Sequence, residues 1–514
     1  MHHYGKDHLT AGSALSLARG TITGTIDKET AQRIEANAEV VRNIAAGEAA
    51  VYGINTGFGP LCKDRISRED TRILQRKILL SHSVGTGQAL PEETVRLMLH
   101  LKLQGLSQGY SGVELELLEQ IQRFLELGII PVVPSQGSVG ASGDLAPLAH
   151  AFAPLIGEGE VTYRNERQPA GKALQAAGLE PIELGPKSGL ALINGTQFIS
   201  AHAVLAVEKM RKLLDHADLI AALMIEGLLG SKMPFRAELH RTRPYPASQF
   251  VAARIYRWLD GSEIGESHAD CDRVQDPYSL RCVPQVHGTS RTAWAHLRDL
   301  TEIEINSVTD NPVVFSEELT ISGGNFHGQP LALPIDYATL AASEIGNISD
   351  RRIYFSLEGK VQDTPKLLME KTGINSGFMM LQYTSAALAS ENKGLCFPAS
   401  ADSIMTSLGQ EDHVSMGSIG GRKLLRVLDN LERILAIELV CACQALDFRR
   451  PLRSTEKLEA VHAYVREHIT HADEDRIFAT DIELARQIIQ SNALIELTHE
   501  PDHHDQSLAH FDLY

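Results

Sequence analysis

The sequence predicts a mainly α protein, a bundle of long helices with an N-terminal loop-rich region. Three observations lead there. In residues 421–446, apolar side chains fall at Leu424, Leu428, Leu431, Leu435, Leu439, Ala442 and Leu446. Steps of three and four make one helical stripe. Residues 201–230 contain no proline, and Pro234 follows as a stop. Strand- and turn-like character concentrates in 157–187, where Thr162 and Tyr163 stand among several glycines and prolines.

Taken in order, 91–108 and 112–127 predict the first two helices of this kind. The 157–187 stretch predicts a surface excursion between helical regions. Helices are then expected over 201–230, 284–305, 330–355, 376–393 and 421–446. From Ile434 to Leu446 both faces are apolar apart from Glu438 and Gln444. A helix apolar all round is buried, inside a bundle or between subunits.

At 514 residues with 43% hydrophobic side chains, the chain can bury a large core without disulfides or metals. Length alone suggests roughly three average domains. With no Pro/Ser-rich linker, no repeat and no low-complexity tract, the expectation is one continuous domain over about 5–485. Within it, 1–200 carries the loop-rich region and 201–514 the long helices. The balance is acidic, 65 Asp+Glu against 48 Lys+Arg, a formal net charge of −17. A surface that tracks phosphates needs the opposite sign, so nucleic acid is not an expected partner.

Cys62, Cys271, Cys282, Cys396, Cys441 and Cys443 are scattered, without a CxxC pair or zinc-ligand spacing. They point to a reducing, cytoplasmic setting. The opening residues lack the apolar stretch of a signal peptide. No uncharged apolar run is long enough to span a bilayer, since the nearest, 219–230, is short and carries Glu226. A membrane partner is therefore not expected.

The chemistry concentrates in residues 136–150, QGSVGASGDLAPLAH. Read as a plain helix start, the loop would use Ser142 or Asp144 as a cap. A phosphate loop does not fit: the glycines are spaced G-x-x-G-x-x-G, and no Lys-Ser/Thr follows. The whole string resembles the signature of the aromatic amino acid ammonia-lyases. That resemblance implies that Ala141-Ser142-Gly143 cyclises autocatalytically into a 4-methylidene-imidazole-5-one (MIO), with no external cofactor. The residue types suit the chemistry. The Gly143 nitrogen must attack the Ala141 carbonyl carbon, and a residue without Cβ leaves that approach open. Ser142 supplies a β-hydroxyl that leaves as water. Ala141 is small enough for a compressed turn, and Asp144 is placed to position the loop or shuttle a proton.

The resemblance runs from about His8 to Arg449-Arg450. Residues 51–59, VYGINTGFG, match the family loop whose tyrosine, here Tyr52, is implied as the catalytic base. Residues 79–85, LLSHSVG, match the substrate-selectivity segment. A histidine there, His82, accompanies histidine or tyrosine substrates. Asn194, in LINGTQ, matches an asparagine loop near the cofactor. In VQDPYSLRC, Arg281 is implied to hold the substrate carboxylate as a forked donor, with Tyr278 as a catalytic residue and Gln275 beside it. Phe326, in GGNFH, matches a phenylalanine placed against the substrate ring. QEDHVSM, with Glu411, resembles the histidine-specific branch, where a carboxylate suits an imidazole or the substrate amine. Two segments depart from the family pattern: Gly328-Gln329-Pro330, and 363–368.

The implied reaction is elimination of ammonia from L-histidine to give urocanate. Two alternatives stay open: a tyrosine lyase or aromatic aminomutase on the same scaffold, and a non-catalytic relative whose loop never cyclises. The implied assembly is a homotetramer with shared active sites, Tyr278 and Arg281 reaching a neighbour's cofactor. The all-round apolar 434–446 helix points the same way. His499, His503, His504 and Asp505, like His2 and His3, read as solvated chain ends, and no metal is expected.

Overall fold

Twenty α-helices, joined by loops and by small sheets of two or three strands, make up the described part of the computed structural model. The structure describes residues 1–57, 66–269 and 273–498. Phe58, Gly59, Cys62, Cys271, His499, His503, His504 and Asp505 lie outside them. Lys28–Ala46 and Arg68–His82 are long helices that the apolar periodicity does not single out; the others of that kind include Glu92–Leu106, Leu115–Leu127, Gln197–Gly227, Val283–Ile305, Gln329–Leu357, Met379–Leu395 and Gly417–Asp447. These seven fall where the apolar periodicity puts a helix. The excursion within 157–187 is a hairpin, Glu160–Tyr163 against Glu166–Pro169, extended by Ile130–Pro131 and followed by a short helix.

Local chemistry sets several helix ends. Asp27 caps Lys28–Ala46 by accepting from the Thr30 amide, and Thr10 forms a capping box with Ser13. Leu115–Leu127 stops at Gly128, which takes φ 67°, a left-handed value that glycine adopts without a Cβ clash.

The chain forms two units, each drawn from separate segments. The first comprises Met1–Val207, Leu297–Asp336 and Pro398–Arg422. Its centre includes Glu92–Leu106, buried on nearly every face, and the short buried helix Ser188–Ile193. Gly189 lets that helix meet Arg68–His82: a Cβ on it would lie 2.3 Å from the Gln75 carbonyl oxygen.

The second unit comprises Glu208–His296, Tyr337–Phe397 and the residues from Lys423 onward. Ile434, Leu435, Ile437, Leu439, Cys441, Cys443 and Leu446 are all fully buried within the chain itself. The apolar circumference of this helix therefore needs no partner subunit to cover it, contrary to what its sequence suggests. Its two polar residues are also satisfied internally. Glu438 pairs with Arg352 and Ser349, and Gln444 bonds the Leu368 and Ala472 carbonyls. Arg291, buried as well, bridges Asp215 at 2.8 Å and Asp218 at 2.6 Å. Pairing of this kind offsets the cost of burying charge. Apolar side chains do reach the surface elsewhere in this unit: Tyr337, Leu340 and Tyr354, on one helix, are all exposed.

Candidate active site

The 136–150 segment is a strand, a tight loop and a helix in succession. Pro134–Gln136 pairs with Thr86–Ala89, and Leu145–Phe152 begins just after Asp144. Asp144 stands at the N-cap position but makes no capping hydrogen bond. Its buried carboxylate turns inward, accepting from Ser138 Oγ at 3.1 Å and from the Ile199 amide at 2.9 Å. Burial pushes this carboxyl up to about 7.

Two neighbouring segments grip the tripeptide. The Asn194-Gly195 turn holds one side: the Gly195 amide donates to Ser142 O, and the Asp144 amide donates to Gly195 O at 2.8 Å. Gly143 takes φ 74° there. Residues 414–418 hold the other side. The Met416 amide donates to Val139 O, and Ser418 Oγ donates to Ser138 O at 2.7 Å. Ala141 is buried against Val414 and Met416. Asn194 itself is buried, and its Oδ1 has no hydrogen-bond partner among the described residues.

Above the tripeptide is a cavity of about 230 Å³, lined by Ala141, Gly143, His82, Val84, Thr406 and Glu411 among others. Ser142 Oγ donates to Glu411 Oε1 at 2.9 Å, and Thr406 Oγ1 donates to the other oxygen at 2.8 Å. His82 ends the Arg68–His82 helix with its Nδ1 3.0 Å from Ser81 Oγ. Burial lowers the pKa of His82, and the charge of Glu411 acts in the opposite direction.

The first unit thus brings together Ala141, Ser142, Gly143, His82 and Glu411, with Asn194 beneath. Tyr52 and Phe326 belong to the same unit but do not line the cavity. Tyr52 is half-buried on a turn anchored by Ile54, which packs on Val41 and Val314. Phe326 is also half-buried, next to His327, whose ring stacks on His413 at 5.6 Å. Gln275, Tyr278 and Arg281 lie in the second unit and form a cluster of their own. Arg281 donates to Gln275 Oε1 and to the Asp276 carbonyl, both at 2.8 Å, and its guanidinium covers the Tyr278 ring at 4.7 Å. Tyr278 is 72% exposed.

Two contributors escaped the motifs. Thr406 orients Glu411, and nothing in its surroundings marks it in the sequence. Lys102 is fully buried and donates to the Ala191 and Asn194 carbonyls at 3.1 and 2.7 Å, fixing the turn that grips the tripeptide. Its signal was visible, a lone lysine amid the apolar LMLHLKLQGL. The two departing segments lie off the cavity. Gln329-Pro330 opens the Gln329–Leu357 helix, and 363–368 holds three left-handed residues, Asp363, Leu367 and Leu368. Among the described residues, no three His, Cys, Asp or Glu side chains converge as a metal site, and no helix is long and apolar enough to cross a membrane.

Comparison with known proteins gives a consistent picture. The family model described as aromatic amino acid lyase matches residues 9–467. A histidine ammonia-lyase of Myxococcus xanthus is 46% identical over 490 residues, 95% of this chain and 96% of that protein. Among solved structures, a histidine ammonia-lyase of Trypanosoma cruzi superposes with a TM-score of 0.89 at 39% identity, covering 98% of this chain and 95% of that one. A tyrosine aminomutase of Streptomyces globisporus gives a TM-score of 0.91 at 32% identity, covering 97% and 98%.

Proposed function

We propose a reaction from one premise: this chain belongs to the aromatic amino acid lyase family. The reaction is elimination of ammonia from L-histidine to give urocanate, a carbon–nitrogen lyase step that begins histidine breakdown. The observation that carries it is the pairing of His82 and Glu411 around one cavity floored by Ala141 and Gly143. An imidazole and a carboxylate complement the imidazole and amine of histidine. Similar proteins that bear the name histidine ammonia-lyase support the same substrate.

The tripeptide fits self-cyclisation. Gly143 holds a left-handed turn that excludes a Cβ, Ala141 is buried, and the Ser142 hydroxyl is already hydrogen-bonded to a carboxylate. Once formed, the methylidene-imidazolone supplies an electrophilic carbon that makes the substrate amine a better leaving group. Arg281 holds the substrate carboxylate with its fork of donors. His82 and Glu411 bind the imidazole and the amine, Asn194 offers its unpaired Oδ1 beneath, and Phe326 packs against the ring. Tyr52 removes the β-proton, with Tyr278 and Gln275 flanking the substrate.

The protein acts as a homotetramer in which Tyr278 and Arg281 serve a neighbour's site. The exposure of Tyr278, and that of Tyr337, Leu340 and Tyr354, supports this part of the proposal. The scattered cysteines favour the cytoplasm. A tyrosine lyase or aminomutase is the competing reading, favoured by His82 and by the tyrosine aminomutase likeness but not by Glu411. One experiment decides. Purified protein is incubated with L-histidine and with L-tyrosine while urocanate and coumarate absorbance are followed. Urocanate alone supports the proposal; faster coumarate release overturns the substrate, and no product from either overturns the lyase reading.

A further inference from the structure

We infer that Lys102 is a positioning residue for maturation of the tripeptide, acting through the Asn194–Gly195 peptide to stabilise negative charge on Ser142 O. The inference rests on the self-cyclisation proposed above. Its observation is an unbroken line of hydrogen bonds. Lys102 Nζ donates to the Asn194 carbonyl oxygen at 2.7 Å. That oxygen and the Gly195 N–H are the two ends of one planar peptide group. The Gly195 amide in turn donates to Ser142 O at 3.3 Å. A cation bonded to the oxygen of an amide polarises the group and makes its N–H a stronger donor, so bonds in series strengthen one another.

The plainer reading of Lys102 is a cap. Its hydrogen bonds go to the Ala191 and Asn194 carbonyls, the last ones of the short Ser188–Ile193 helix. A cap needs only a donor, whereas Lys102 is fully buried and a buried ammonium is costly. Burial pulls its pKa down to about 7, with Lys187 acting the same way and the carboxylates of Asp310 and Asp144 opposing. Lys187 is committed to Asp310 and the Ser111 carbonyl, which leaves Lys102 to face the turn.

Of the two water losses, the second is the one this charge reaches. In the first, the Gly143 nitrogen bonds to the Ala141 carbonyl carbon. The Ala141 oxygen leaves as water, taking the amide hydrogens of Ser142 and Gly143. In the second, the Ser142 Cα–H proton passes to solvent water and its electron pair becomes the Cα=Cβ bond. The Cβ–Oγ bond breaks, and the departing oxygen takes a proton back from solvent. One water is lost, and no oxidant or reductant is needed. As the Cα–H bond breaks, negative charge gathers on the adjoining carbonyl oxygen, Ser142 O. The Gly195 amide is aimed at that atom, and a fixed donor acts most strongly in the step that develops the charge.

The test weighs the tryptic peptide that contains Ala141-Ser142-Gly143 from wild-type protein, Lys102→Met, Lys102→Gln and Lys102→Arg, at intervals after synthesis. Only material with wild-type circular dichroism and elution volume is used. Wild-type peptide should be two waters lighter than its sequence. Lys102→Met should accumulate peptide one water lighter, cyclised but not dehydrated, with the second loss slowed about tenfold or more. Lys102→Arg keeps the charge and should lose both waters at close to the wild-type rate. A merely structural cap would stall the loop at full sequence mass, because a displaced turn misaligns ring closure first. Lys102→Met stalled at full mass, or as fast as wild type, overturns the inference, as does Lys102→Arg as slow as Lys102→Met. If Lys102→Met does not fold, Lys102→Gln decides, since its amide keeps a donor without the charge: a slower second loss supports the role, and an unchanged rate overturns it. A wild-type peptide at full sequence mass sinks the cyclisation reading instead, which keeps the two failures distinct.

Discussion

The carbonyl oxygen of Gly195 occupies the place where a side chain on Gly143 would begin: a Cβ there would lie 2.0 Å from it. Backbone cannot yield that far. Gly143→Ala should therefore push the tripeptide off the Asn194-Gly195 turn and misalign the Gly143 nitrogen with the Ala141 carbonyl. The expected outcome is a folded protein whose loop peptide keeps its full sequence mass and whose turnover is lost. Normal water loss in Gly143→Ala would show that this contact does not organise the loop.

A second expectation concerns His82, which lines the cavity but is only half-buried. His82→Leu removes a polar partner for the substrate imidazole and leaves the tripeptide contacts intact. Losing such a partner typically costs about 1–3 kcal/mol. Turnover of histidine should then fall about tenfold to a hundredfold in kcat/KM, with the loop still maturing. Steady-state kinetics and the loop mass, measured on the same preparation, check both halves. An unchanged kcat/KM removes His82 from substrate recognition.

How much of this was legible beforehand depends on the kind of signal. The long helices were, because apolar periodicity is local: Leu424 through Leu446 repeats at helical spacing without reference to anything else. The tripeptide and Glu411 were legible through whole motif strings, not through single residues. Thr406 was not, because a threonine's role in orienting a carboxylate depends on a loop conformation that its neighbours do not encode. The return of Leu297–Asp336 and Pro398–Arg422 to the first unit left no mark in composition either. It is nevertheless what brings Glu411 to Ser142. The apolar 434–446 run announces burial but not what surrounds it: Arg352, Ser349 and the Leu368 and Ala472 backbone supply its polar partners within the chain.

Three buried histidines should pull stability down in mild acid, against the opposite contribution of Asp144, whose raised carboxyl takes its proton in the folded chain first. Burial lowers His100, His202 and His216 from 6.5 to about 4. Between those values the unfolded chain binds more protons than the folded one at each site. Their contribution is therefore fully present above 6.5 and is lost as pH falls toward 4. Each site has a ceiling on the order of 3 kcal/mol. Calorimetric Tm should drop between pH 7 and pH 4.5, and His216→Gln should show a shallower drop. Parallel curves for wild type and variant would remove His216 as a source of the effect.

The last expectation concerns assembly. Arg281 and Tyr278 stack at 4.7 Å, and Tyr278 is 72% exposed, an unusual place for residues expected to touch a substrate. Tyr52 and the tripeptide belong to one unit, whereas Gln275, Tyr278 and Arg281 belong to the other. If a neighbouring subunit supplies the second group, a site needs Tyr52 from one chain and Arg281 from another. Tyr52→Phe and Arg281→Ala, each inactive alone, are then co-expressed with different affinity tags, and doubly tagged tetramers are isolated. Some of their sites combine an intact Tyr52 with an intact Arg281, so activity should return to a fraction of wild type. Sites confined to one chain cannot recover, and silent mixed tetramers would refute the sharing. Leu340→Glu gives an independent handle, placing a charge among the exposed Tyr337 and Tyr354. If that face joins subunits, the variant should elute as smaller species and lose activity, because a dissociated chain lacks its neighbour's Arg281. Unchanged elution would move the interface elsewhere on the surface without touching the complementation result.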